Sequence, residues 1–301
     1  MMNLSLPMAN ATPGKPRLTK VPRAIPVASV VLAFLVGATA AHAGAIRRVP
    51  TEYATIKAAV IAAETGDSIL IAPGTYTGAE NRAIDVGLKT LYIRGTGGAG
   101  TVVIDAENVA NCFSFANSPF HYTSLQGLRL RRGNPCGIYV YDAAPVIMDS
   151  SIEDCVTGML LARYHGTPSG LTIDGCVSTA LKVSTGSNCE IRNSTIQNSA
   201  GAYGAGVQII GASLLVANCV IRGNDASSDG GAVYCESGGV VLQDVAITGN
   251  RCAGAGGGIR LLNSSATLEY TTLSRNLAVS AAGGVSSAGS SSVVGHSILW
   301  G

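Results

Sequence analysis

Tyr234, Glu236 and Arg260 are the residues of this 301-residue chain whose types best suit recognition of a sugar. A ring stacks on the apolar face of a pyranose, a carboxylate accepts its hydroxyls, and a guanidinium donates to its oxygens. Tyr234 and Glu236 alternate along one short stretch, and Arg260 stands 26 residues beyond Tyr234. Tyr139 and Lys182 fall in the same register upstream. The alternative reading of the group is an ordinary exposed ion pair beside a tyrosine.

Other constellations are poorer. Asp142 and Glu236 lie four repeats apart, about 19 Å at about 4.8 Å per stacked strand, whereas a hydrolytic carboxylate pair needs about 10 Å or less. Asp225 and Asp229 share one turn, and two carboxylates are a weak calcium signal. In "LYIRGTGGAGTVVID", Gly95, Gly97 and Gly100 match the dinucleotide fingerprint, yet "TVVID" reads as strand where the fingerprint needs a helix, so the run reads as a turn. His121, His165 and His296 lie in no nucleophile-elbow context, and no C-x-x-C or His/Cys ligand spacing occurs. No metal site and no cofactor are expected.

What must position these side chains is a repeat. Leu181, Val207, Val233, Ile259 and Val285 recur every 26 residues, as do Asn198, Asn224, Asn250 and Asn276. Looser copies begin near Phe113, Ile138 and Met159. Each block alternates apolar and polar residues over short runs between Gly-rich turns, the period of a strand. A block this small cannot bury its apolar face alone, so the blocks stack as turns of a parallel solenoid. The 26-residue file above, and a second through Val216, Leu242, Leu268 and Val294, then face inward. The recurring Asn is expected to form a structural ladder at a tight turn, tolerating the left-handed conformation and bonding amide to amide. Upstream, Tyr53, Ile56, Val60 and Ala63 keep helical spacing, with Thr51 as the expected cap and Gly66 as the stop, giving a helix that covers the first coil. "DSILIAPGTY" is expected to begin the first strand.

Composition sets the setting. Residues 1–43 read as a secretory signal: Lys15, Arg17, Lys20 and Arg23, an uncharged apolar run, then "AHA". Without those four, 16 basic residues face 18 acidic ones, so no basic patch for nucleic acid follows and no membrane span remains in the mature chain. Charged residues make up 13% and hydrophobic ones 47%, enough apolar material for a core and inconsistent with disorder. All eight cysteines follow the leader. Cys155 and Cys176 occupy equivalent places in successive repeats, within disulfide reach if stacked, and equally placed to remain free thiols.

"TIKAAVIAAETGDSILIAPGTYTG" with "LYIRG" and "TVVID" resembles the entry of right-handed parallel β-helix proteins of the pectin lyase-like superfamily. "GNDASSDGGAVY" and "SILWG" resemble the repeats of bacterial surface β-helix proteins, including polymorphic outer-membrane proteins. The resemblance implies an all-β solenoid with an N-terminal capping helix: a segment with that helix over 44–66 and repeats over 67–301. A pectate lyase on this fold would show clustered acids for calcium with an Arg or Lys base on the outward row, and this row lacks them. The expected function is therefore a secreted or surface-displayed structural or carbohydrate-contacting module, monomeric, possessing a polysaccharide or cell-surface glycan as partner. A calcium-using lyase or a hydrolase of uronate-rich glycans is the alternative, and a passenger region of a larger surface protein is a third. The Asn period also leads to the expectation that the array continues past Gly301, starting with Asn.

Overall fold

The structure, a computed structural model, describes residues 44–98 and 100–300; the expected signal segment lies outside the described residues. Because each strand buries alternate side chains, its backbone groups are satisfied only by the coil before and the coil after. The strands pair in parallel and form a solenoid of about ten turns. One wall is a nine-stranded sheet that starts at Ile84–Asp85 and ends at Val285–Ala288. A five-stranded and a thirteen-stranded sheet form the other walls, and a four-stranded ribbon of two-residue strands runs beside them.

The 26-residue file is in register. Leu181 pairs with Val207, Val207 with Val233, Val233 with Ile259 and Ile259 with Val285. It continues upstream through Met159, Ile138 and Phe113 to Ile84, and every member from Ile84 to Ile259 is fully buried. Val216, Leu242, Leu268 and Val294 pair in register as the second file, the first three fully buried and Val294, in the last described coil, exposed.

Three corners per coil bend the chain, and they share a grammar. A residue with positive φ is followed by an inward one whose backbone N–H points along the axis. The left-handed residue is Gly or a short polar residue at most corners, because a Cβ there is costly. At many of the corners the N–H is taken by a small polar side chain from the next coil. Tyr164 N donates to Ser187 Oγ (3.1 Å), Leu171 N to Ser194 Oγ (3.1 Å) and Ser199 N to Asn224 Oδ1 (3.0 Å).

The Asn ladder belongs to the third corner, with a correction. Asn224 Nδ2 donates to Asn250 Oδ1 (2.9 Å) and Asn250 Nδ2 to Asn276 Oδ1 (3.0 Å). These three are buried and are not left-handed; the residue before each, Gly223, Gly249 and Arg275, has positive φ. Asn198 has φ 52 and is exposed, so it stands at the bend, and Ser199 is the rung. The turn over Thr185–Ser187 is one residue longer than its counterpart at Gly211–Ala212, which shifts Asn198 out of phase while leaving Leu181 in phase.

The cysteines are free and buried, all eight of them. Cys155 and Cys176 serve as rungs of this same corner file: Gly133 N donates to Cys155 Sγ (3.2 Å), and Cys176 N to Ser199 Oγ (3.2 Å). Burial pushes the Cys155 thiol up to about 12, so it stays neutral.

The first strand is Ile46–Val49, ahead of the helix rather than after it, and it pairs with Ser68–Ile71. The helix spans Ile56–Ala62 and is capped by Thr55, whose Oγ1 accepts from Ala58 N, not by Thr51. Residues 50–54 are held instead in a turn, where Glu52 N and Tyr53 N donate to Arg48 O. Ile56, Ala59 and Val60 are buried in the same core cluster as Ile69 and Ile84.

Asp67 ties this end together. Its buried carboxylate accepts from Ala45 N (2.7 Å), Glu64 N (2.9 Å) and Arg47 Nε (2.8 Å). Burial alone would raise its pKa, but the Glu64 N–H, Arg47 and the Ala45 N–H together hold it below the ordinary value. A carboxylate depressed in the folded state contributes stability above its unfolded pKa of about 3.9, and that contribution is lost as pH falls through the lower folded value. The melting temperature is therefore expected to hold through pH 5 and to drop below about pH 4. Asp67→Asn should lower the neutral-pH value and flatten part of the acid limb; calorimetry showing an identical acid limb in the variant would count against this role.

Candidate functional site

The outward row of the nine-stranded wall runs Tyr139, Leu160, Lys182, Gln208, Tyr234, Arg260, Ser286, each paired with the next. Tyr139 and Tyr234 are four coil steps apart, about 19 Å, and Lys182 is two steps, about 10 Å, from Tyr234. Tyr139 and Lys182 thus share the row but not the cluster. Glu236 lies in the parallel row two residues on, between Ile210 and Leu262.

Tyr234 was expected to be exposed, and it is 6% exposed. The cause is a ridge that the repeat turns build beside the wall. The two-residue strands Ala200–Gly201, Asp225–Ala226, Arg251–Cys252 and Leu277–Ala278 stack in register around a small core of Ala205, Ala226 and Cys252. The ridge sets Tyr203 against Tyr234, ring centroids 5.1 Å apart at 50°, and Tyr203 takes the exposed place at 43%.

Beneath Tyr203 the polar groups sort into two units. Tyr234 Oη donates to Glu236 Oε2 (3.0 Å), and burial first, then Glu236, pushes the phenol up to about 12, so it remains a neutral donor. Arg260 pairs with Asp229 rather than Glu236: its Nε is 3.9 Å from Asp229 Oδ2, and its Nη1 donates to Ser286 Oγ (2.8 Å). Asp229 is fixed by Ala255 N (2.7 Å to Oδ1), and Gly254 makes room, since a Cβ there would lie 2.0 Å from Asp229 Oδ1. Arg260 Nε is buried without a hydrogen-bond acceptor. The arrangement sets one exposed ring against a phenol whose proton is given to Glu236, with a second carboxylate and a guanidinium paired nearby.

Tyr203 and Asp229 were outside the sugar-binding group read from the sequence. Both sit on turns, which have no alternation to assign a face; the 26-residue phase of Tyr203 and Asp229 was the available signal. Asp225, grouped earlier with Asp229, lies instead on the ridge next to Arg251. A wider hollow of about 620 Å³ over Ala202, Asp225, Ser227 and Arg251 touches none of the cluster. Among the described residues, no group of three or more His, Cys, Asp or Glu is placed to hold a metal ion, and no helix is long and apolar enough to cross a membrane. The strand Val102–Asp105 follows the Gly95–Gly100 run, so no helix N-terminus meets it.

Residues 158–301 match the family model for a right handed beta helix region. Among solved structures, the chain is similar to pectate lyase Pel9A at 12% identity, covering 78% of this chain and 72% of that one with a TM-score of 0.50. It is also similar to a pectin methylesterase solved with a hexasaccharide (12% identity, 77% and 79% covered, TM-score 0.44). A third is tailspike protein 2 of Escherichia coli O157:H7 bacteriophage CAB120 (11%, 77% and 36%, TM-score 0.45). No curated protein matches. At these identities the likeness concerns the fold.

Proposed function

The chain is a right-handed parallel β-helix protein, and from that premise we propose that it is a secreted or surface-displayed module that contacts glycans through the Tyr203 cluster. The observation that supports this reading is the exposed Tyr203 ring tilted over Tyr234, beside the Tyr234–Glu236 hydrogen bond and the Arg260–Asp229 pair. Such a group binds by stacking and hydrogen bonds and needs no metal. Fold likeness to a pectate lyase keeps the lyase alternative in the test without deciding for it. The signal-like leader and the glycan reading together favour export, with the mature chain acting as a monomer.

The test is incubation of the purified mature protein with acidic and neutral polysaccharides, with and without calcium, reading binding and unsaturated product together. Binding without product is expected. Tyr203→Ala should weaken that binding by about 1–3 kcal/mol, the scale of an aromatic contact, while the melting temperature stays near wild type because the ring is substantially exposed. Calcium-dependent unsaturated product would make the protein a lyase instead, and undiminished binding by Tyr203→Ala on a glycan array would remove the site.

A further inference from the structure

The five-stranded wall at the other end of the solenoid has a groove of its own. Two hollows of about 370 and 400 Å³ adjoin along its outward face, sharing Arg94 and Gln126. Tyr92 and Arg94 point outward from one strand, and the ring of Tyr92 is 51% exposed. Ser68 and Ser124 flank Tyr92 on the coils before and after, while Leu70 and Gln126 flank Arg94. Gln126 is oriented by its amide donating to Asp149 Oδ2 (3.0 Å).

Charge distinguishes Arg94 from its neighbours. Arg47, Arg48, Arg82, Arg129, Arg131 and Arg132, the other arginines of the described chain up to residue 135, each have a carboxylate within 4.0 Å. Among the described residues Arg94 has none, although it lies between the two hollows. A guanidinium in this position is a ready partner for an anionic group, which it meets with two parallel hydrogen bonds.

The glycine run lets the coils close up beneath the groove. A Cβ on Gly95 would lie 2.4 Å from Gly127 O, and Gly127 has φ +68, so neither position accepts a side chain. Gly97 lines the same hollow. The run that mimics a dinucleotide fingerprint thus serves close packing of the coils beside Arg94.

We propose that this groove is a second binding site, for an anionic oligosaccharide lying along the solenoid axis, with a sugar ring on Tyr92 and its carboxylate or sulfate on Arg94. Together the hollows span the five strands from Ile46–Val49 to the corner at Asp149, four coil steps or about 19 Å, a reach that suits a chain of sugars rather than one. Counted from Arg94 to Tyr234, the two sites stand six coil steps, about 29 Å, apart along the axis, and they lie on different walls. The inference shares only its ligand chemistry with the reading above.

The test titrates the mature chain with a cello-oligosaccharide and with its sulfated and carboxymethylated forms, by calorimetry at low and physiological salt. The charged forms should bind and the uncharged parent should bind about tenfold more weakly or not at all. Arg94→Ala should cost about tenfold for the charged forms, and Arg94→Lys should retain part of that affinity, since it keeps the charge but not the fork. Arg94→Ala should cost the same factor in a Tyr203→Ala background, where the first site is removed, and this separates the two sites. Failure of both charged forms to bind wild type, or undiminished binding by Arg94→Ala with an unaltered circular dichroism melt, would overturn the proposal.

Discussion

Ile259→Asp is expected to abolish the cooperative melt of the C-terminal half. Ile259 is fully buried between Val233 and Val285, so the aspartate would have neither water nor a partner. An unpaired carboxylate in such a place costs several kcal/mol, about as much as the whole margin of a small domain, and each coil is stabilised chiefly by its neighbours. The loss should therefore spread to the coils on both sides. Val241→Asp is the control: it lies on the outward face at 41% exposure and should stay within about 1 kcal/mol. Circular dichroism melts read both, and an Ile259→Asp melt equal to wild type would contradict the inward file.

Asn250→Ala should be the most damaging single change in the corner ladder. Asn250 is fully buried, accepts from Asn224 N (3.0 Å) and Nδ2 (2.9 Å), and donates to Asn276 Oδ1 (3.0 Å) and Ile221 O (3.0 Å). Alanine would strand those groups together, at about 1–3 kcal/mol for each left unsatisfied, so a loss of about 3 kcal/mol or more is expected. Asn250→Ser should lose less, because a hydroxyl can accept as Ser199 does two coils earlier in the same file. Asn198→Gly, at an exposed left-handed position, should change stability by about 0.5 kcal/mol or less. Denaturant unfolding of the three variants checks the order; equal losses at Asn250 and Asn198 would mean that the two share a role after all.

That contrast shows where the chain was readable. The inward files at Leu181 and Val216 were legible because burial imposes a strict alternation that the 26-residue period repeats. Asn198 was misplaced because one extra residue at Thr185–Ser187 is compensated later in the same coil, a shift invisible in the period of the first strand. The corner grammar was only partly visible, since Ser, Thr, Cys and Asn substitute for one another as acceptors and look like unrelated residues in sequence. Tyr234 read as exposed because alternation gives the face but not what a neighbouring turn lays over it; Tyr203 does so here. Arg94 escaped notice for a different reason: an unpaired cation is defined by the absence of carboxylates around it, which only three dimensions reveal.

The bonds that the corner backbone N–H groups give to side chains all point one way. In each of them the donor N–H lies in the earlier coil and the acceptor side chain in the later one, as from Leu128 to Ser150, Ser199 to Asn224 and Ser264 to Ser290. A growing chain emerges from the ribosome in that same order. Every newly made bend then waits, its amide open, for the next turn to arrive and close it, so translation itself would act as a ratchet: each arriving turn locks its predecessor, and assembly advances from the amino terminus without a partner having to be found at a distance.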